Sequence, residues 1–339
     1  MRELLAGLRE ADDGDAAGLA ALIGGVYAEY PGCVLDLPGV DHDLTGIRTH
    51  LAARGGRLWV LPDVAGLRAC VGYAPAGDRV ELKRLYVTQD ARRSGVGTGL
   101  TAMVVDLAAT LQAAGVDLWS DTRFEDAHRH YEKHGWVLQP DTRYLHDPSD
   151  STEFHFTREL AAPSPPDAAA TWRSGTDEIE DTTLTRNRLG LHLQGRSRQG
   201  AWRWAVTTDE RGHTRDATLT TADGRTVHLT SDGRGRWWRD GKPDRDLDGC
   251  TDVDIAVTPG TNTLPVLRAL MIGADRLDVT AAWIRWPDLS VQPSAQRYTS
   301  VGDGAWRYES LGHSYRLEVD EWGLVRRYGD LFVAVSPGG

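Results

Sequence analysis

The chain has 339 residues, which is long enough for two domains of ordinary size. Its formal net charge of -11 disfavours nucleic acid as the main partner, because affinity for a duplex comes largely from lysine and arginine on phosphates. The apolar stretches are short and broken by charges, and the N-terminus lacks the apolar run of a secretory signal. We therefore expect a cytoplasmic protein without integral membrane association.

The three cysteines, Cys33, Cys70 and Cys250, lie far apart and form no C-x-x-C pair. Neither a disulfide framework nor a structural zinc site is indicated by this spacing. We expect free thiols in a reducing compartment and no bound metal.

The first part of the chain alternates predicted helices with short strands. In chain order we predict a strand at 5–9, helices at 15–30 and 43–54, and strands at 58–61, 68–74 and 81–87. A helix then runs from a glycine-rich segment to residue 114, followed by a strand at 116–120, a helix at 127–133 and strands near 137–139 and 153–157. This order predicts an α+β domain over residues 1–160.

Residues 161–171 are rich in proline and alanine and lack a periodic apolar face, which is typical of a linker. Beyond it the composition shifts to threonine, tryptophan and glycine-containing turns, which favours antiparallel β-structure. Strands are predicted at 190–194, 201–207, 215–220, 226–230, 236–239, 252–257, 278–286, 296–300, 305–310, 315–319 and 324–327, with one helix at 264–272. Many short strands at regular spacing predict a barrel or a wrapped sheet over residues 172–335.

A glycine-rich segment stands between a predicted strand and a predicted helix, with Arg92, Gly95 and Gly97 in the pattern R-x-x-G-x-G. Glycines allow close approach of the backbone to a ligand, and the amides at a helix start are unpaired and attract anions. Arginine at 92 and 93 adds positive charge. A pyrophosphate suits this site, although a simple turn and helix cap would also fit the pattern.

Two further blocks accompany this segment, Glu81–Val87 before it and Ala127–Trp136 after it. Together the three resemble the GNAT superfamily of N-acetyltransferases across essentially all of residues 2–160. The resemblance implies a mixed central sheet flanked by helices, with acetyl-CoA as co-substrate. It also implies transfer of an acetyl group to a primary amine by direct attack in a ternary complex.

The resemblance also implies roles for individual residues. Tyr131, from a family signature of a tyrosine followed by Gly135, would protonate the departing thiolate, since a phenol and a thiol have similar pKa values. The alternative is an aromatic residue that packs on the sheet.

The resemblance further implies two sets of cofactor-binding residues. The backbone at the end of the strand before the loop would pair with the pantetheine arm, through Leu85, Tyr86 and Val87. The loop would hold the pyrophosphate, through Arg92, Arg93, Ser94, Gly95, Val96, Gly97 and Thr98.

The general base and the acceptor amine are less defined. Glu81 occupies a position where several family members keep a glutamate; His128, His130 and a water chain are alternatives. Many members carry an asparagine at the position of Phe124, and that asparagine contacts the cofactor. In this chain Phe124 cannot make the same contact, and Thr122 or Arg123 would have to make it instead. The first two predicted helices are expected to line the acceptor groove, and three acidic residues there suit a cationic amine unless they form a solvated face: Asp36, Asp41 and Asp43.

The second half carries the strings L-x-G-C-x-D-x-D at 247–254 and T-P-x-T-N-T-L-P-x-x-R at 258–268, followed by Gln296-Arg297-Tyr298. They resemble the putative glycolipid-binding family, whose fold is a curved, nearly closed antiparallel barrel. Nine tryptophans lie after residue 170 and would either line an apolar cavity or fill the core. Five residues are candidates for a buried polar network with a structural or binding role: Asp252, Asp254, Asn262, Arg268 and Gln296.

Two functions from different classes fit these patterns, besides a fusion of two unrelated activities in one chain. The first is an active acetyltransferase with an appended domain for a hydrophobic ligand, acting on a small molecule, lipid or glycoconjugate that carries an amine. The second is a binding or regulatory protein that senses acetyl-CoA and an apolar ligand without turnover.

Overall fold

The computed structural model describes residues 4–160 and 166–335. The chain divides into two compact units, Met1–Ser164 and Pro165–Gly339, and each has its own sheet. None of the described helices has the length and apolar character needed to span a membrane.

The described part of the first unit contains four helices and seven strands. The helices are α1 (Ala16–Tyr27), α2 (Ile47–Ala52), α3 (Val96–Thr110) and α4 (Glu125–Lys133). The strands are β1 (Arg9–Glu10), β2 (Arg57–Asp63), β3 (Gly66–Ala76), β4 (Arg79–Val87), β5 (Gly115–Asp121), β6 (Val137–Tyr144) and β7 (Thr152–Glu159). They form one sheet in the order β1-β2-β3-β4-β5-β7-β6, in which only β4 and β5 are parallel neighbours. The predicted mixed sheet with helices is confirmed.

Helix α1 follows from the spacing of its apolar residues. Leu19, Leu22, Ile23 and Val26 recur at helical intervals and are all buried. Most of this stripe belongs to one core cluster with buried side chains of α2, β2 and β3. Packing of the stripe places α1 beside β3 and β4, where it borders the cleft described below.

Two element ends in this unit differ from the sequence prediction. The first strand was predicted at residues 5–9, but Leu8 donates its amide to the carbonyl of Leu5 in a turn, and only Arg9–Glu10 pair with β2. Helix α3 was predicted to reach residue 114 but ends at Thr110. Gln112 has a φ of 57°, and the amide of Ala113 donates to the carbonyl of Ala108, which closes the helix.

The described part of the second unit contains one α-helix, α5 (Thr263–Ile272), and fifteen strands. The strands are β8 (Ala168–Ser174), β9 (Ile179–Asn187), β10 (Gly190–Ser197), β11 (Trp202–Thr208), β12 (Thr214–Thr221), β13 (Thr226–Ser231), β14 (Trp237–Arg239), β15 (Lys242–Pro243), β16 (Asp252–Ile255), β17 (Arg276–Ile284), β18 (Val291–Gly302), β19 (Ala305–Ser310), β20 (His313–Val319), β21 (Val325–Tyr328) and β22 (Phe332–Val335).

All fifteen strands form a single sheet in the order β15 to β8, then β22 to β16. Neighbours are antiparallel except β16 and β17, which run parallel. The edge strands β15 and β16 do not pair with each other in the described sheet, so the barrel-like architecture is confirmed but the closed barrel is not. The parallel pair arises because α5 connects β16 to β17 as a crossover.

The predicted linker extends too far into this unit. Residues 168–171, assigned to the linker at 161–171, form the start of β8 and pair with β9. Ala168 and Ala170 face the core and are buried, while Ala169 between them is exposed. Alanine and threonine give little strand signal, which explains the difference. Residues 161–165 of the predicted linker lie outside the described residues.

Most of the tryptophans in the second unit fill its interior. Trp172, Trp204, Trp237, Trp238 and Trp306 are all at most 5% exposed. The first three pack in one cluster with the buried face of α5. This arrangement supports the interpretation of these five side chains as core residues.

His192 on β10 is buried, and Gln194 on the same strand and Asp216 act on its ring in the direction that favours protonation. Burial lowers the pKa of this imidazole below its usual value, because the charged form loses its hydration. The folded state therefore holds the neutral ring at a pH where an unfolded chain accepts a proton.

We expect the free energy of unfolding of the second unit to fall as the pH drops below about 6.5, the value of an unfolded histidine. The contribution of His192 is at most about 1.4 kcal/mol per pH unit for one proton. Urea titrations of the full chain at several pH values should show a flatter dependence for His192→Asn. His313→Asn, at an exposed histidine, is the matched control. Parallel curves for wild type and His192→Asn would contradict this assignment.

Candidate active site

A cleft of about 1140 Å³ opens in the first unit where β4 and β5 separate. These parallel neighbours pair only at Val80 with Val116 and at Glu81 with Asp117. Beyond those positions the two strands diverge, and residues from both line the cleft. The divergence leaves a slot between two backbones inside a continuous sheet, which is suited to an extended ligand.

Strand β4 is interrupted by a bulge at the cleft. Its pairing with β3 shifts between Cys70–Tyr86 and Gly72–Lys83, so that three steps along β4 oppose two along β3. Arg84 lies within the bulge with a φ of 53°, and its carbonyl accepts a hydrogen bond from the Cys70 thiol at 3.0 Å. The bulge interrupts the alternation of side-chain faces that a regular strand over residues 81–87 would have.

The glycine-rich segment ends at the first residues of α3, as predicted. Gly95 has a φ of 93°, a conformation that other residues rarely adopt. Among the described residues, no backbone acceptor is present for the amides of residues 93–98, and the first helical bond is from Gly99 to the carbonyl of Gly95. A Cβ atom at Gly97 would lie 3.8 Å from Val87, an ordinary contact. The protein itself therefore does not require glycine there, whereas a closely bound ligand would.

The two arginines of this segment have different environments. The guanidinium of Arg92 binds the Glu29 carboxylate with Nη1–Oε2 and Nη2–Oε1 distances of 2.5 and 2.8 Å, and its Nε donates to the carbonyl of Val87. Arg93 is exposed and forms no ion pair in the described part of the chain. The charge of Arg92 is thus largely balanced, while that of Arg93 is available at the cleft.

Tyr131 on α4 lines the cleft although it is 5% exposed. Its ring packs against Trp136 and Phe156 at centroid distances of 5.9 and 5.5 Å. Burial, and secondarily the nearby Tyr86, raise the pKa of this phenol above its usual value. The hydroxyl has no hydrogen-bond partner among the residues that the structure describes. The ring thus packs on the sheet and the residue also lines the cleft, while its role as a proton donor stays a prediction.

The candidate bases lie in different settings. Glu81 lines the cleft, and its Oε1 lies 2.8 Å from the ammonium of Lys83. The Nε2 of His128 forms a hydrogen bond of 3.0 Å with the carbonyl of Asp121, and this residue does not line the cleft. His130 lines the cleft, its Nε2 is buried without a partner in the described residues, and burial lowers its pKa. Glu81 and His130 are thus the two candidates that face the ligand space.

The acidic residues expected in the acceptor groove all line the cleft, but two of them are neutralised. The Arg84 guanidinium lies 2.5 Å from Asp41 and 2.6 Å from Asp43. Asp36 makes no ion pair within the described residues. Only Asp36 of the three therefore contributes an unbalanced charge, a distinction that the sequence did not show.

Phe124 packs against Tyr30 and Tyr27 at centroid distances of 4.6 and 6.0 Å and lines the cleft. Arg123 instead forms an ion pair with Asp121 and donates to Ser151. Neither Thr122 nor Arg123 is among the lining residues. Phe124, at the position where many GNAT members carry an asparagine, thus belongs to a cluster of aromatic side chains. No sequence pattern had indicated this cluster.

The five polar candidates of the second unit form two neighbouring groups on β16 and its surroundings. Arg268 binds Asp252 through two hydrogen bonds of 3.0 and 2.7 Å. Asp254 accepts from Gln296 at 2.7 Å, and the Tyr298 hydroxyl reaches both Gln296 and Asn262 at 2.9 Å. Burial raises the pKa of Asp254. The predicted polar contacts are present, and each group is bonded to protein partners.

A buried acid, Glu180, was not predicted from the sequence and is 3% exposed. Its carboxylate accepts hydrogen bonds from the indoles of Trp202 and Trp204 at 3.2 and 3.1 Å and from the hydroxyls of Thr182 and Thr258 at 2.8 and 2.7 Å. Burial raises the pKa of this carboxyl. Its partners come from three separate segments of the chain, so no local pattern signals the cluster.

Comparisons with known proteins cover both halves. Residues 53–138 match the family described as acetyltransferase (GNAT) domain, and residues 169–334 match the family described as putative glycolipid-binding. A DUF1089 family protein from Pseudomonas aeruginosa is 30% identical over 52% of this chain and 99% of that chain, with a TM-score of 0.40. A GNAT-family acetyltransferase from Staphylococcus aureus Mu50 is 18% identical over 45% of this chain and 98% of that chain, with a TM-score of 0.39.

The PaiA N-acetyltransferase from Thermoplasma acidophilum, solved in complex with coenzyme A, is 11% identical to this chain. The match covers 45% of this chain and 98% of that one, with a TM-score of 0.36. No curated protein matches the chain.

Proposed function

Since residues 53–138 match the GNAT acetyltransferase family and residues 169–334 match the putative glycolipid-binding family, we propose that the first unit is an acetyl-CoA-dependent N-acetyltransferase. It transfers the acetyl group to a primary amine by direct attack in a ternary complex. The observation that carries this proposal is the slot between β4 and β5, which leads to the unpaired amides at the start of α3.

The donor end of the cleft fits coenzyme A. The amides of residues 93–98 and the exposed Arg93 supply hydrogen bonds and positive charge for a pyrophosphate. The missing side chain at Gly97 leaves space for the ligand at that point. The backbone of residues 85–87 lies beside the slot, where an extended pantetheine arm would add to the sheet like a strand.

Catalysis is assigned to Tyr131 and Glu81. A neutral amine attacks the thioester carbonyl, the C–N bond forms, and the C–S bond breaks. Tyr131 donates its phenolic proton to the departing thiolate. Burial raises the pKa of this phenol, which keeps it protonated before the transfer but moves its pKa away from that of a thiol. Glu81 takes the proton of the amine directly or through water, and His130 is the alternative acceptor.

We further propose that the second unit binds an apolar ligand or a glycolipid and that the chain acts in the cytoplasm. The family description supports the ligand class, as does the partly exposed Trp286, which meets Trp202 edge to face at 5.6 Å. The three cysteines are free, which fits a reducing compartment such as the cytoplasm.

The ligand class of the second unit is tested by mass spectrometry of an organic extract of the purified chain. A retained lipid is the expected finding.

The transferase proposal is tested on the full chain in two steps. Calorimetric titration with acetyl-CoA measures binding, and a panel of primary amines with detection of free thiol measures turnover. Binding together with amine-dependent thiol release is expected. Binding without release from any amine would favour the alternative of a regulatory protein that senses acetyl-CoA. Absence of binding would refute the assignment of the slot and the loop.

A further inference from the structure

Four aromatic side chains form a continuous group along one side of the cleft, which we call the aromatic wall: Tyr27, Tyr30, Tyr86 and Phe124. The Tyr30 and Phe124 rings are 4.6 Å apart, and Tyr27 and Phe124 are 6.0 Å apart. Tyr27 and Tyr86 meet edge to face at 5.8 Å, and their hydroxyls are 2.9 Å apart. All four residues line the cleft.

The aromatic wall adjoins the reacting end of the proposed site. Tyr86 lies close enough to Tyr131 to affect the electrostatics of its hydroxyl. Phe124 immediately precedes α4, the helix that carries Tyr131. A ligand held against the wall therefore lies next to the residue proposed to protonate the leaving thiolate.

The balance of charge differs between the two ends of the cleft. At the loop, Arg93 and Lys133 line the cleft without an ion pair in the described chain. Near the wall, Asp41 and Asp43 are balanced by Arg84, and Glu153 by Arg143. Asp36 and Asp147 line the same cleft and form no ion pair among the described residues, although Arg123 is near enough to Asp147 to interact with it electrostatically. Arg54, just after α2, also lines the cleft without an ion pair in the described chain, so away from the loop one unpaired cation stands beside the two carboxylates.

We propose that the acceptor is an aliphatic diamine or polyamine whose second, protonated amine binds against the aromatic wall with Asp36 and Asp147 as its counter-ions. Aromatic faces attract ammonium groups, and the unbalanced carboxylates favour a cation over a neutral aromatic ligand. One amine of the acceptor is positioned for attack while the other is held as a cation. This inference rests on the proposed transferase function and defines its substrate class.

The test compares three amines on the full chain: 1,4-diaminobutane, n-butylamine and 2-phenylethylamine. We expect kcat/KM for the diamine to exceed that for n-butylamine by about tenfold or more, given the usual strength of a cation held by aromatic faces and carboxylates. Equal values for the two aliphatic amines would overturn the proposal. A preference for 2-phenylethylamine would show that the wall selects an aromatic acceptor instead.

Variants locate the effect. Phe124→Leu and Tyr30→Leu retain apolar bulk but remove the π face, and Asp36→Asn removes a charge without changing size. Each should reduce the preference for diamine over n-butylamine by about threefold to tenfold, in line with the loss of one cation contact. Tyr144→Leu, at an exposed tyrosine outside the cleft lining, is the control and should preserve the preference.

A binding measurement separates this inference from the transferase proposal. Calorimetry should show that 1,4-diaminobutane binds the full chain saturated with coenzyme A, and that Asp36→Asn weakens this binding. Thiol release from monoamines without diamine preference would reject only the substrate class. Diamine binding without thiol release from any amine would reject the transferase function and keep the cation site. Absence of diamine binding rejects the cation site whatever the turnover.

Discussion

Gly97→Glu is expected to lower the affinity for acetyl-CoA by at least about 100-fold, or about 2.7 kcal/mol, while the chain remains folded. Gly97 lies in the first turn of α3 and lines the cleft, and its Cβ would meet only Val87 at an ordinary distance. A carboxylate in the first turn of a helix is favourable for stability. It would nevertheless place bulk and negative charge where the pyrophosphate is proposed to bind.

Calorimetric titration with acetyl-CoA measures the effect. Gly97→Gln has the same size without the charge and separates crowding from repulsion. Gly25→Glu is the matched control, because Gly25 is exposed on α1 outside the cleft lining, and a Cβ atom there would meet no other atom within 4 Å. An unchanged dissociation constant for Gly97→Glu would remove the loop from the proposed site.

Tyr131→Phe should reduce kcat by roughly 100-fold to 10,000-fold, the range of a positioned general acid, with little change in acetyl-CoA affinity. The ring contacts with Trp136 and Phe156 do not depend on the hydroxyl, so the packing of α4 should persist. Steady-state thiol release and calorimetry together give the two quantities.

The comparison variant is Tyr144→Phe, which removes an exposed hydroxyl on β6 that bonds to Asp150. It should leave both quantities unchanged. An equal loss of turnover and of acetyl-CoA binding in Tyr131→Phe would assign the residue to ligand binding rather than to proton donation. Full activity in Tyr131→Phe would exclude the residue as the acid.

Local patterns in the first half predicted most of its elements and the order of its motifs. The stripe on α1, the strand before the loop and the left-handed Gly95 all follow from short-range spacing. The resemblances stated from the motifs, to the GNAT acetyltransferases and to the putative glycolipid-binding family, are confirmed by the family matches. What the spacing did not predict was the bulge at Arg84, since it depends on the register with β3.

Electrostatic pairing was the least predictable part of the site. Arg84 is separated by more than 40 positions from Asp41 and Asp43, its partners. Arg92 likewise binds Glu29 on a different segment. A sequence shows which charges exist but not which of them neutralise each other, because long-range packing determines those contacts. The same reason explains why the aromatic wall was not recognised, since its members come from the end of α1, the turn after it, β4 and the residue before α4.

In the second half, strands with clear alternation were predicted and less regular ones were missed. The strands β8, β9, β15 and β22 were not predicted. Strand β8 begins with three alanines, and β9 is largely threonine and charged residues, so both lack a strong apolar alternation. Their assignment to the sheet depends on pairing with distant strands rather than on their own composition.

The pairing of β8 with β22 has a consequence for biosynthesis. Residues 171–174 bond to residues 332–335, so the first strand of the second unit acquires its second neighbour only from the last described strand of the chain. During translation this sheet therefore remains split until those late residues leave the ribosome, and the closure involves a large loop entropy. The first unit contains no such dependence on the second and has all its strand partners before that point. The order of synthesis thus favours completion of the N-terminal unit while the second sheet is still in two parts.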